Sequence, residues 1–363
     1  MRPVLTILSI LLLLNACGGP LYLSGGKFEQ DTLPPFHSKK VEKVRLRSIP
    51  VSGPVLLDSN HTAWLTAQGE IIVFDHTAEK EIRHYNGKED IRQFAYRKEA
   101  FIWIEARQKN HRLYYEAAAN LVYYNVVADD VRWRKRAPGT AVNPVIADSV
   151  VVVAGVQGMV RAYSVEDGKE QWETSVNSRI FLQPLVYHNT LIVVDDRGKT
   201  RGIDLATGKN LWTVLMQSPV LSAAIDSNLL FLGGFSGEMQ CLNLETKNIE
   251  WTVQTGAKVR SAPLVDGKTV IWADATGRIY EIDQESGDYS VLINLQTPVV
   301  GIPARTEQGY LITGLDGTLY HINFSDGGFL GQLEFQGRLR STPLYLQGHW
   351  YVIMEDDWIY VLD

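Results

Sequence analysis

Asp204-Leu205-Ala206-Thr207-Gly208-Lys209-Asn210-Leu211-Trp212 decides the fold, because the chain writes it more than once. Upstream stands Ser164-Val165-Glu166-Asp167-Gly168-Lys169-Glu170-Gln171-Trp172, and downstream Asn243-Leu244-Glu245-Thr246-Lys247-Asn248-Ile249-Glu250-Trp251. Trp172 and Trp212 lie 40 residues apart, Trp212 and Trp251 39. Gly158, Gly198, Gly237, Gly277 and Gly317 keep the same pace. So do Pro144, Pro184, Pro263, Pro303 and Pro343, with Ala224 once in place of proline. A fixed period of about 40 residues means a stack or ring of one supersecondary unit.

Within each unit a proline precedes a short apolar strand, and a β-rich run such as 150–154 or 269–273 follows a turn. A third strand ends in Asp or Asn, and after a second turn comes a fourth strand carrying the tryptophan. Short β-branched runs between tight turns predict antiparallel meanders, and four such strands in about 40 residues make a propeller blade. The Asp or Asn and the following glycine supply a turn with positive φ at low steric cost. Trp133, Trp172, Trp212 and Trp251 are expected to wedge between neighbouring blades, each indole N–H finding a backbone acceptor.

Weaker copies extend the count. Asn125, Asp129 and Trp133 close a degenerate unit, and another runs from Pro54 through Gly69 to Asp75. The wide spacing between Asp75 and Asn125 predicts an insertion around 107–116 in the second unit. Units then start near 54, 95, 144, 184, 224, 263, 303 and 343, which makes eight blades of four strands. Asp363 stands where Asn323 and Asp283 end their third strands, so the eighth unit lacks its tryptophan-bearing strand. Residues 41–47 precede Pro54 by the matching distance and are expected to supply it, closing the ring and removing its open edges. Glu42 falls at the tryptophan position of that strand.

At the amino terminus, Arg2 and the apolar run 4–14 read as a signal peptide. The run is too short to cross a bilayer core of about 30 Å as a helix. It ends in Leu14-Asn15-Ala16-Cys17, which resembles a bacterial lipobox. The resemblance implies removal of 1–16, acylation of Cys17 and anchoring in membrane lipid. Gly18 rather than Asp follows, which by the same resemblance directs the protein to the outer membrane. Residues 17–40, rich in Gly, Pro, Ser and charge, read as a flexible tether that would hold the 41–363 body roughly 25–30 Å from the lipid.

Composition excludes several classes. The 363 residues are 45% hydrophobic with a net charge of −6, so no basic face argues for nucleic acid. Cys241 is the only other cysteine, which rules out a disulfide framework. No HExxH, GxSxG, P-loop or CxxC is present. His61, His76, His84 and His111 lack metal-ligand spacing, and the carboxylates of Asp195-Asp196 and of Glu355-Asp356-Asp357 read as hairpin turns. No metal, cofactor or small-molecule substrate is expected, and no catalytic residue.

The strand–Asp-x-x-Thr-Gly-x-x-x-Trp pattern resembles the PQQ-like, or quinoprotein, propeller repeat, over about 41–363 and most closely over 144–287. Two branches of that family are relevant. The PQQ-dependent alcohol dehydrogenases are longer and usually carry a vicinal cysteine pair, absent here. The BamB outer-membrane assembly factors are lipoproteins with eight blades and no cofactor, and lipobox, short linker, eight repeats and end-to-start closure are similar to theirs. That resemblance implies a non-enzymatic scaffold facing the periplasm, docking on the POTRA domains of the barrel protein BamA. The alternatives are a quinoprotein-type enzyme and a general envelope-binding propeller with another partner. Candidate contacts lie on loops between blades: Arg179, Ile180, Phe181 and Leu182, where an Arg beside bulky apolar groups matches hot-spot chemistry, and Arg260 and Arg340, each three residues before a blade-opening proline.

Overall fold

The computed structural model describes residues 41–106, 119–339, 341–355 and 357–362. Cys17, the tether, the predicted insertion and Arg340 lie outside them. The described residues form eight four-stranded antiparallel sheets: residues 55–86, 91–137, 145–175, 185–215, 220–254, 264–294, 299–334, and 344–362 joined by Val41–Arg45. They are called blades 1 to 8 below, and the fold is an eight-bladed β-propeller.

Position in the blade explains the strand patterns. The middle strands are covered by a neighbouring blade on each side, so they are apolar without alternation; Val151, Val152 and Val153 are all buried. The fourth strands lie on the circumference and alternate, as in Ile249–Gln254. Three inner strands begin about four residues before the predicted unit starts: Ile91–Arg97, Val220–Asp226 and Val299–Arg305. Each takes up the extra length in a register shift near its start, at Ile91/Gln93, Val220/Ser222 and Val300/Ala304, as a β-bulge does.

Ring closure is non-covalent. Val41–Arg45 runs antiparallel to Trp358–Leu362, from Val41 opposite Leu362 to Arg45 opposite Trp358. Glu42 faces Val361 as Trp251 faces Cys241 in blade 5, so closure lacks the indole. Leu46, 2% exposed, supplies the anchor instead, packing in one apolar cluster with Trp64, Ile353 and Val361.

The joint between blades rests on a glycine–tryptophan pair. Trp133, Trp172 and Trp251 each donate the indole N–H to a carbonyl of the next blade, Val165 at 2.9 Å, Leu205 at 2.8 Å and Gln284 at 2.9 Å. The ring lies against the glycine of that blade's last turn. A Cβ at Gly168 would sit 2.7 Å from Trp133, at Gly208 2.6 Å from Trp172, and at Gly287 2.5 Å from Trp251. These glycines have φ of 69°, 72° and 76°, so each is needed twice, for the turn and for the bare surface the indole covers. Trp212 departs from the pattern. The next blade offers Lys247, φ 65°, at the glycine position. Trp212 is only half-buried and lies over Gly202 of its own blade, with the Lys247 ammonium 5.2 Å from the ring centre.

Candidate functional site

The inner strands ring a channel of about 2550 Å³. At one mouth, a single backbone bond recurs in every blade. The first residue of the turn between strands two and three donates its N–H to the loop that enters the blade. The bonds run from Ala67 to Ile49, Ala106 to Asp90, Val156 to Gly139, Asp196 to Arg179, Phe235 to Pro219, Ala275 to Lys258, Leu315 to Pro298 and Glu355 to Arg338, at 2.7–3.1 Å. This eight-fold clasp fixes the backbone of one loop residue and one turn residue per blade, independent of their side chains.

Their chemistry is divided around the ring. In blades 1 to 3 the clasped residues are Ile49/Ala67, Asp90/Ala106 and Gly139/Val156, with no cation among them and with Ala106 and Val156 buried. Blades 4 to 8 alternate charged and apolar pairs: Arg179/Asp196, Pro219/Phe235, Lys258/Ala275, Pro298/Leu315 and Arg338/Glu355. Phe235 and Leu315 are 46% and 41% exposed. The Lys258 ammonium sits 4.0 Å from the Phe235 ring centre, a cation–π contact that keeps both groups at the rim.

The loop Arg179–Leu182 sorts by direction. Arg179 is exposed and its backbone is clasped by Asp196, whose carboxylate accepts the Arg179 N–H at 3.2 Å and the Ser178 hydroxyl at 2.6 Å. Phe181 is 45% exposed and faces the channel. Ile180 and Leu182 correct the sequence reading: both are core residues, 0% and 6% exposed, seated in the clusters between blades 3 and 4 and blades 4 and 5. An extended loop alternates its sides, so two of its four residues turn inward. Arg260 is exposed and lines the mouth. Phe235, Lys258, Leu315 and Arg338 were not singled out from sequence. The signal for them is positional, since residues 235, 275, 315 and 355 occupy one step of the repeat where a turn residue is expected.

Of the titratable groups noted in the sequence, His111 and Asp356 lie outside the described residues, and the fold holds most of the others. Asp195 is buried, accepts from Arg201 at 2.7 Å and from the turn N–H groups of Arg197 and Lys199, both at 3.0 Å. Asp357 accepts from Arg45 at 2.8 Å. His61 lies 2.9 Å from Asp58, and His84 3.1 Å from Glu81. His76 is buried on the seam between blades 8 and 1, bonded to Thr62 at 2.7 Å and 4.1 Å from the Tyr351 ring centre. Burial lowers its pKa to about 4, so it is neutral near pH 7. Cys241 is fully buried and its thiol is pushed up to about 12 by desolvation, which leaves no thiolate.

Comparison with known proteins agrees with this architecture. The family model described as outer membrane protein assembly factor BamB matches residues 117–226 and 216–290. The BamB of Yersinia pestis is 24% identical over 245 residues, 60% of each chain. That of Moranella endobia is 21% identical over 260 residues, 65% of each, and that of Francisella salina 28% over 202, half of this chain and 38% of the other. The chain thus spans about 60–65% of the length of the first two relatives it matches. Among solved structures, the BamB of Moraxella catarrhalis superposes with a TM-score of 0.71 at 13% identity, covering 90% of this chain and 99% of that one. The computationally designed Ika8 protein superposes with a TM-score of 0.72, also at 13% identity, covering 92% and 99%. At that identity the superpositions speak to fold alone. Fold, repeat type and relatives converge: this eight-bladed propeller is similar to the BamB assembly factors, over residues 117–290 by the family model.

Proposed function

We propose that this protein is a non-enzymatic scaffold for the assembly of β-barrel proteins into the outer membrane. It faces the periplasm, held by an acylated Cys17 and the 17–40 tether once 1–16 are removed, with 41–363 as its binding body. Its partner is a BamA-like barrel protein, docked through POTRA domains on the channel mouth. The observation that carries this reading is the crescent on blades 4 to 8, where the exposed Phe181, Phe235 and Leu315 alternate with Arg179, Lys258 and Arg338. Large apolar groups framed by cations at a desolvatable centre are what protein hot spots are made of. The rigid clasp beneath them means little ordering entropy is lost on docking. The relatives' printed name, outer membrane assembly factor, points to the same task.

The test is photo-crosslinking in envelope membranes from a benzophenone amino acid placed at Phe181 or Phe235. A BamA-like barrel protein is the expected product. Combining Arg179→Glu, Lys258→Glu and Arg338→Glu should cut its recovery at least tenfold with an unchanged melting temperature. Rim crosslinks that recover only another envelope complex, or recovery untouched by the triple reversal, would refute the proposal.

A further inference from the structure

The circumference of the ring is divided as sharply as its mouth, and along a similar line. Thirteen of the fifteen Asp, Glu, Lys and Arg residues on the eight outer strands lie on blades 8, 1, 2 and 3. The other two are Glu250 and Glu334, on blades 5 and 7. Asp130–Ala137 carries five such charges; Asn210–Leu215 and Tyr289–Asn294 carry none. Exposed apolar groups lean the other way: seven of the ten large ones on the outer strands lie on blades 4 to 7, and Val41, Ile82 and Val131 on the charged half. Tyr289 and Val291 on blade 6 are 51% and 49% exposed, Phe329 and Leu330 on blade 7 are 57% and 42%.

Among the described residues every outer strand is the last of its sheet, and no further strand pairs with the backbone donors and acceptors on its outward side. Such edges recruit further strands, and proteins ordinarily blunt them with charge. Half of this ring is blunted in that way and half is not. On blade 7 the edge is barer still, because Gly331 stands at the tryptophan position. A Cβ added there meets no described atom within 4 Å.

From this we infer that Tyr289–Asn294 and Phe329–Glu334 are strand-addition sites for an extended, uncharged segment of another polypeptide, apolar at alternate positions. The free ladder supplies the affinity and alternate side chains the selectivity. An aromatic residue of the incoming strand would lie over Gly331, where other blades seat their own indole. A lipid surface does not fit, since acyl chains leave the backbone row unsatisfied and the edge has no cation for an anionic headgroup. A charged or proline-rich segment does not fit either, the first for want of counter-charge and the second for want of N–H groups. This surface is separate from the channel mouth, so the result below is independent of docking there.

The probe is a short fluorescein-labelled peptide alternating threonine with valine or tyrosine, titrated into the full-length protein and followed by anisotropy. Saturable binding is expected, together with slowed amide hydrogen exchange in residues 289–294 and 329–334. Combining Val291→Lys and Leu330→Lys should weaken binding at least tenfold, and Ile82→Lys, on the charged half, should leave it unchanged. All three positions are exposed, so the variants should melt with the parent. A version of the peptide with proline at the threonine positions should not bind. The inference is overturned by no anisotropy change, by equal binding of the proline peptide, or by binding without slowed exchange in the two strands. It is also overturned if the protein forms dimers that the lysine variants dissolve, because the occupant is then a second copy of this chain.

Discussion

Lys247 shows how far one side chain reaches in this ring. Gly168, Gly208 and Gly287 let the preceding blade's indole lie flat against a turn, and Lys247 closes that surface with a Cβ and a long stem. Trp212 is displaced onto its own blade, and the room it finds there exists because residue 202 is glycine, where the matching positions hold Ala162 and Cys241. The two exceptions to the repeat are therefore one coupled substitution. Gly202→Ala alone places a methyl group inside the Trp212 ring and should cost about 1–3 kcal/mol by overpacking, read by urea unfolding. Adding Lys247→Gly should recover most of the loss, by more than Lys247→Gly gains in the parent, because Trp212 can then dock like its three counterparts. Strictly additive effects would show that the residues do not communicate.

Among the elements, the closing strand was legible and the rim was not, for a physical reason. Residues 41–47 are identified by what the eighth unit lacks, a deduction that needs only the period and the rule that a ring leaves no edge unpaired. Glu42 even falls in the expected register, opposite Val361. The rim residues sit in turns, where the backbone clasp bears the structure and the side chains are free to differ, so no periodic constraint marks Phe235 or Leu315. Apolar loop residues are ambiguous for the converse reason: Phe181 and Ile180 look alike in sequence, yet one is 45% exposed and the other 0%. The register of the closing strand makes a sharper claim than its existence. Leu46 is its anchor, and Leu46→Ala should cost about 2–5 kcal/mol. Val41→Ala at the exposed start of the same strand should stay within about 0.5 kcal/mol. Equal losses in urea melts would show that the backbone pairing, not the Leu46 cluster, holds the ring shut.

For the whole molecule, a ring of near-equivalent blades has no privileged seam, although the chain must put its ends somewhere. Val41 lies opposite Leu362, the relation that the two ends of a hairpin have in the other seven blades. A short glycine-bearing turn linking 362 to 41 therefore completes blade 8 as an ordinary four-stranded meander. New ends opened in the turn of blade 2, at Val127, 71% exposed, would transfer the non-covalent closure to Asp130–Ala137. That strand is better equipped to close a ring than the natural one, because it carries Trp133, bonded to the Val165 carbonyl. The same tryptophan ring covers Gly168. A permutant of 41–362 with these ends should fold to the same circular dichroism spectrum and melt at or above the parent's temperature. If it unfolds several degrees lower, closure depends on contacts particular to blades 8 and 1, such as Tyr351 donating to the His76 carbonyl at 3.2 Å, and the blades are not interchangeable as closing units.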